Sequence, residues 1–260
     1  MNEKYTTKLG AGQGLINETR ILLDLWQPGM DSNTLNKVAL ESGHFPNLTA
    51  RRLHNLIVEG FGYRFLNTIG VSVFYLKILQ KHFTSREFEQ LLFLAACRSH
   101  SVLFDFVIQI YWNAYSSGRI TLSNKDAQDF VIRANQDGKT TSPWADSMIE
   151  RVSGYLTGTC ADFGLLEKGR KSIRKILPYR LESKVFIFIL YDLHFAGNGD
   201  NSVIIHPEFQ LFGMNRDDVL SEIKRLSLQG WWIAQTAGDV IRISWRYQSM
   251  EDLLDALSKG

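Results

Sequence analysis

The chain has 260 residues, 45% of them hydrophobic and 22% charged, with 29 Lys/Arg against 27 Asp/Glu for a net charge of +2. This is a globular composition with room for about two domains, and it excludes a largely disordered chain. The near-balance of charge also excludes an overall basic field, so any nucleic-acid surface has to come from local clustering.

Residues 1–14 read as a flexible arm, polar and glycine-rich, without the apolar segment of a secretory signal. Leu15, Leu22, Leu25 and Trp26 then share one helical stripe, which Pro28-Gly29 ends. Further helices are predicted over Ser32–Glu41, from Thr49 with Leu53, Leu56, Ile57 and Phe61 inward, over Val71–His82, and over Ser85–Arg98 with Thr84 and Glu87 as a capping box. Residues 1–99 are thus expected to be an all-helical domain.

The apolar helix Val102–Tyr115 opens a second segment. Ser123 caps a helix running to about Asn135, and Ser142-Pro143 supplies N-cap and N1 for the next, which Gly164 ends. Leu165–Glu167, a Lys168-Gly169 turn and Ile173–Leu177 follow as a short hairpin, which gives the order of a winged helix over residues 100–180. The order recurs over 181–260: a helix from Glu182 to Phe195, a loop at 197–201, a short helix Pro207–Phe212, and a third helix capped by Asn215 with Asp218 at N3. Next comes a hairpin in which Gly238-Asp239 turns and Ile241, Ile243 and Trp245 alternate with Arg242, Ser244 and Arg246. A last helix covers Glu251–Leu257. The fold class is mainly α with small β-hairpins, as a helical domain followed by tandem winged-helix-like units.

Catalytic patterns are missing. The six histidines are scattered without metal-ligand spacing, and Cys97 and His100 on one helix face fall short of a zinc site. Cys97 and Cys160 read as buried reduced thiols. Gly10, Gly12 and Gly14 form GxGxG, but no strand precedes them, so the dinucleotide fingerprint fails its context. Asp105 sits within an apolar helix with no acid, His or Lys at helical reach, which suits a structural pairing better than catalysis. No enzyme, cofactor or metal is expected. The longest apolar runs, Val102–Trp112 and Val185–Tyr191, are well short of the roughly 20 residues of a membrane span, and a cytoplasmic protein is expected.

Charge carries the sharper signal. Lys168, Arg170, Lys171, Arg174, Lys175 and Arg180 form a basic run with no acid, on and after the first wing, where cations meet phosphates by counterion release. The preceding helix offers Ser147, Arg151, Gly154 and Thr157 as a small polar face for a groove. Arg51 and Arg52 form a smaller cluster, and Arg242 and Arg246 lie on the second wing. The corresponding helix there begins Asn215-Arg216-Asp217-Asp218, whose acids suit the helix dipole but repel phosphate.

Three stretches, KYTTKLGAGQGLINETRILLDLW, SPWADSMIERVSGYLTGTCADFGLLE and SVIIHPEFQLFGM, resemble the BrxA family of BREX anti-phage systems. The resemblance implies a small accessory protein with a NusB-like helical N-terminal part, winged-helix-like domains and double-stranded DNA binding. It also implies work beside a DNA methyltransferase, a large ATPase and an alkaline-phosphatase-like protein. The expected function is non-enzymatic DNA binding through backbone and shape. A protein-interaction adaptor and a transcription regulator are the alternatives.

Overall fold

The computed structural model describes residues 4–12, 15–66, 71–238 and 240–259. It is mostly helical, with two small antiparallel strand pairs. The chain divides into two compact units, 1–77 with 91–178, and 78–90 with 179–260. The first holds 19 Lys/Arg against 14 Asp/Glu, a net +5, and the second 10 against 13, a net −3. No single helix among the described residues is long and apolar enough to cross a membrane.

In the first unit α1 (Ile16–Leu25) precedes α2 (Ser32–Glu41), capped by Asp31, whose carboxylate accepts from the Thr34 amide at 2.8 Å. Thr49 caps α3 (Ala50–Asn55), which continues through a π-helical stretch (Leu56–Gly62) into α4 (Tyr63–Phe65). The wider π turn carries Leu56, Ile57, Gly60, Phe61 and Gly62 inward together. Glycine at 62 allows a close approach of α2, because a Cβ there would lie 2.1 Å from Ser32 Oγ. Next come α5 (Val73–Leu79) and α6 (Ser85–Ser99), the latter starting at the Thr84–Glu87 capping box within segment 78–90 of the second unit and belonging to the first unit from Leu91. The apolar helix expected from Val102 is α7 (Ser101–Phe106), a second π stretch (Val107–Tyr111) and α8 (Trp112–Ser116).

The N-terminal arm is docked, contrary to the reading of a flexible segment. Tyr5 is 2% exposed and pairs with Thr140 as a parallel bridge, its amide donating to Lys139 O at 2.8 Å and its carbonyl accepting from Thr141 N at 3.1 Å. Its hydroxyl donates to Asp105 Oδ2 at 2.5 Å, which supplies the structural pairing expected of that carboxylate. Lys8–Gly12 form a 3-10 turn with Leu9 fully buried, and Gly10 lies so close to Tyr155 that a Cβ would come within 2.4 Å of its ring. Gly14, third of the GxGxG glycines, lies outside the described residues.

Docking of the arm also moves a helix start. Strand β1 (Thr121–Ser123) leads into α9 (Asn124–Gln136), capped reciprocally by Ser123 and Asp126. The following helix, α10 (Asp146–Asp162), begins after Ala145 rather than at Ser142-Pro143. The intervening segment is held by Tyr5 at Thr140 and by the Asn135 side chain, which accepts from Trp144 N at 2.8 Å and donates to Trp144 O at 3.2 Å. With Trp144 buried by these contacts, Ser142 cannot serve as the cap.

Strand β2 (Ile173–Lys175) pairs antiparallel with β1, in register Thr121↔Lys175, Leu122↔Arg174 and Ser123↔Ile173. The hairpin expected within Leu165–Leu177 is reduced to one antiparallel bridge, Leu166↔Ile176. β1 pairs with β2 at three positions, the turn-bound Leu165–Glu167 segment through a single bridge.

The second unit is built on α11 (Ser183–Phe195), whose residues 185–191 are all buried. After α12 (Asp200–Val203), a 3-10 turn (Pro207–Phe212) and α13 (Arg216–Ser227) come β3 (Trp232–Ala237) and β4 (Val240–Trp245). They form the expected hairpin, from Trp232↔Trp245 to Ala237↔Val240, with Gly238 at φ +58° in the turn; Asp239 lies outside the described residues. Among the described residues β4 has no second strand beside it. Instead Ile241 N donates to Asn201 Oδ1 at 3.1 Å, and Ile243 N to Asp200 Oδ2 at 2.8 Å. Closing the chain, α14 (Met250–Lys259) buries Leu253, Leu254 and Leu257, and packs on α11.

Candidate nucleic-acid interface

The basic run of the first unit is carried by a loop anchored at both ends. Gly164, at φ +81°, ends α10, and Leu165 N closes back on Cys160 O at 2.8 Å. Glu167 N then donates to Lys175 O, and Leu177 N to Leu165 O, both at 2.9 Å. β2 is therefore held on both edges, by β1 and by Leu165–Glu167, and residues 168–172 project as a loop between fixed ends.

Within this loop Lys168, Arg170 and Lys171 are exposed, as is Lys175 on β2. Arg174 is placed differently. It is 8% exposed, on the inward face of β2 opposite Leu122, and its Nη1 donates to Glu167 O at 3.0 Å and Gly169 O at 2.5 Å. Its guanidinium ties the loop from beneath. The signal for this was in the sequence, since a strand that turns Ile173 and Lys175 outward must turn Arg174 in. Gly169, at φ +112°, allows its carbonyl to reach that guanidinium. Lys171 Nζ pairs with Glu167 at 2.8 Å, both half-exposed, and this hydrogen bond holds the Glu167 carboxyl below its usual range. A pair so exposed is weak and can be exchanged for a phosphate.

On α10, Ser147 and Arg151 are exposed and Gly154 is half-buried. Thr157, expected to face outward, is 1% exposed, its hydroxyl donating to Asn124 Oδ1 at 2.6 Å. Thr157 is a packing residue between α10 and α9. Arg51 and Arg52 are exposed on α3. Arg180 is exposed in the second unit. Arg242 points outward from β4, while Arg246 donates to Gly230 O at 2.9 Å and lies over the Tyr247 ring at 5.6 Å. At the start of α13 the Asn215 and Asp218 side chains cap reciprocally, and the Asp217 side chain is 88% exposed.

Elsewhere in the first unit, buried Arg64 donates to His100 Nε2 at 3.3 Å. Burial lowers the Arg64 pKa to about 10 and holds His100 well below its ordinary value, so the imidazole is a neutral acceptor. Cys97 and Cys160 are buried and form no disulfide. No group of three metal-ligating side chains occurs among the described residues.

The BrxA family model matches residues 3–190, about 72% of the chain. The chain belongs to the BrxA family. It is accordingly a protein of BREX phage defence, as the resemblance implied. The BrxA match takes in α1 to α10, the basic loop and part of α11, and stops before the β3–β4 hairpin. No curated protein matches the sequence. Among solved structures the chain is similar to an uncharacterized protein from Magnetospirillum magneticum, with a TM-score of 0.59 at 16% identity over 80% of this chain and 98% of that one. At this identity the likeness shows the fold alone.

Proposed function

We propose that this chain is a non-enzymatic, double-stranded DNA-binding component of its BREX system, acting beside the other BREX proteins. The carrying observation is the anchored loop with exposed Lys168, Arg170, Lys171 and Lys175, braced by Arg174, on the unit with net charge +5. In this reading residues 100–180 are a winged helix: α7–α8, β1, α9, α10 and then the wing. Residues 181–260 repeat the plan, and residues 1–99 are the NusB-like part. Cations on a wing neutralise phosphates without reading bases, so binding follows backbone and shape. Arg151 is the base-edge or phosphate contact from α10, and exposed Arg51-Arg52 and Arg242 are secondary sites. Arg174 serves by positioning. No cofactor is required.

The second unit favours protein as a partner. Its net charge is −3, and Asp217 and Asp218 would face phosphate at the start of the helix that corresponds to α10. An adaptor role for this unit is compatible with DNA binding by the first.

Salt-dependent duplex binding by the purified chain tests the main reading. Replacing Lys168, Arg170, Lys171 and Lys175 together with alanine removes four phosphate contacts, and should flatten the plot of log affinity against log salt by about three to four units. Binding should weaken equally across sequences, with folding preserved. Equal slopes for the folded variant and wild type would move the site off this loop.

A further inference from the structure

The outward face of the first sheet carries one large apolar side chain among cations. Ile173 is 59% exposed, and its cross-strand partner is the smaller Ser123. The remaining outward pair of this face is Thr121 and Lys175; the one acid that reaches it, Asp126, accepts from Ser123 N and Oγ at 2.8 and 2.6 Å and is paired with Arg119. Lys175 stands two residues after Ile173, about 6–7 Å away along the strand, and Lys171 stands two residues before it at the end of the loop. Their stems are long enough to straddle a groove about 6 Å wide with the isoleucine at its centre.

Ile173 cannot withdraw. The backbone of β2 is bonded to β1 on one edge and to residues 165–167 on the other, and Arg174 ties the adjoining loop. A β-branched side chain has few rotamers to lose when it enters a confined space. A rigid apolar projection flanked by cations suits the minor groove, where apolar side chains part neighbouring base pairs and kink the duplex.

We infer that Ile173 is a minor-groove wedge: the loop cations seat the sheet on two phosphate strands, and the isoleucine opens one base step between them. The inference rests on the reading that this loop binds DNA, and adds that the bound duplex is bent. Pyrimidine–purine steps such as TA unstack most readily, so the wedge also supplies a sequence preference with no hydrogen bond to a base.

The experiment uses the full chain with duplexes of about 25 base pairs carrying a fluorophore at each end, one with a central TA step and one with a central GC step. Energy transfer reports the bend, and affinities are measured across a salt series. Wild type should bend the TA duplex by on the order of 40° and prefer it about tenfold over the GC duplex. Ile173→Ala should lose the bend and reduce the preference to within about twofold, with an unchanged salt slope because no phosphate contact is removed. Ile173→Leu, apolar and of similar volume, should keep the bend. A wild-type complex with a steep salt slope and a straight duplex would overturn the wedge and leave DNA binding standing, as would bending that survives Ile173→Ala. Absence of salt-dependent duplex binding by wild type would overturn both.

Discussion

The hydroxyl of Tyr5 joins the N-terminal arm to Asp105, one hundred residues away, and Tyr5→Phe removes that oxygen alone. The ring stays in place, since its backbone remains paired with Lys139 and Thr141 and it packs on Phe130 with centroids 6.1 Å apart. The Asp105 carboxylate, on the buried helix α7, then loses a donor held at 2.5 Å. A hydrogen bond to a charged acceptor contributes about 1.5–3 kcal/mol net, and a loss near 2 kcal/mol lowers Tm by about 4–8 °C in a unit of this size. Thermal unfolding followed by circular dichroism at neutral pH reads the shift. A double-mutant cycle with Asp105→Ala isolates the bond, with an expected coupling of about 1.5 kcal/mol or more. Wild-type unfolding by Tyr5→Phe, or an equal loss from it in the Asp105→Ala background, would refute the tether.

Arg174→Ala unties the loop from Glu167 O and Gly169 O. DNA affinity should fall about five- to tenfold from loop ordering at an unchanged salt slope, whereas loss of about one slope unit would make Arg174 a phosphate contact. The Tyr191 phenol is pushed up to about 12, chiefly by burial, while tyrosine in an unfolded chain titrates near 10. A folded pKa above the unfolded one gives stability that is complete below about pH 10 and lost as pH rises towards about 12, by at most about 1.4 kcal/mol per pH unit. Tyr191→Phe should flatten that part of the Tm–pH curve, and an equally steep decline would contradict the assignment.

Features set by neighbours in sequence were legible. The caps at Thr84–Glu87, Ser123–Asp126 and Asn215–Asp218 each need only a residue and its third successor, and all three form. Alternation from Ile241 to Arg246 located β4 because six residues suffice for a period of two. Features that depend on distant chain were hidden. β1 is three residues long, too short for a period, and its partner lies some 50 residues on. Tyr5 gave no sign of its place, since Thr140 and Asp105 are more than 100 and exactly 100 positions away respectively, in segments that looked complete without it. The late start of α10 follows from that same unseen contact. At the candidate site the clustering of charge was visible, but the division of labour within it was not, because only the strand register separates Arg174 from its exposed neighbours.

The two sheets are bordered in chemically different ways. In the first unit the strand beside β2 bonds through its backbone, which every residue except proline provides, so positions 121–123 can change identity while the border survives. In the second unit the border is two side chains, Asp200 and Asn201, and its existence depends on what those two residues are. A single substitution there leaves an amide of β4 bare without altering the hairpin itself. Such an edge invites a strand from another molecule, so loss of Asp200 would appear first as self-association and only later as unfolding.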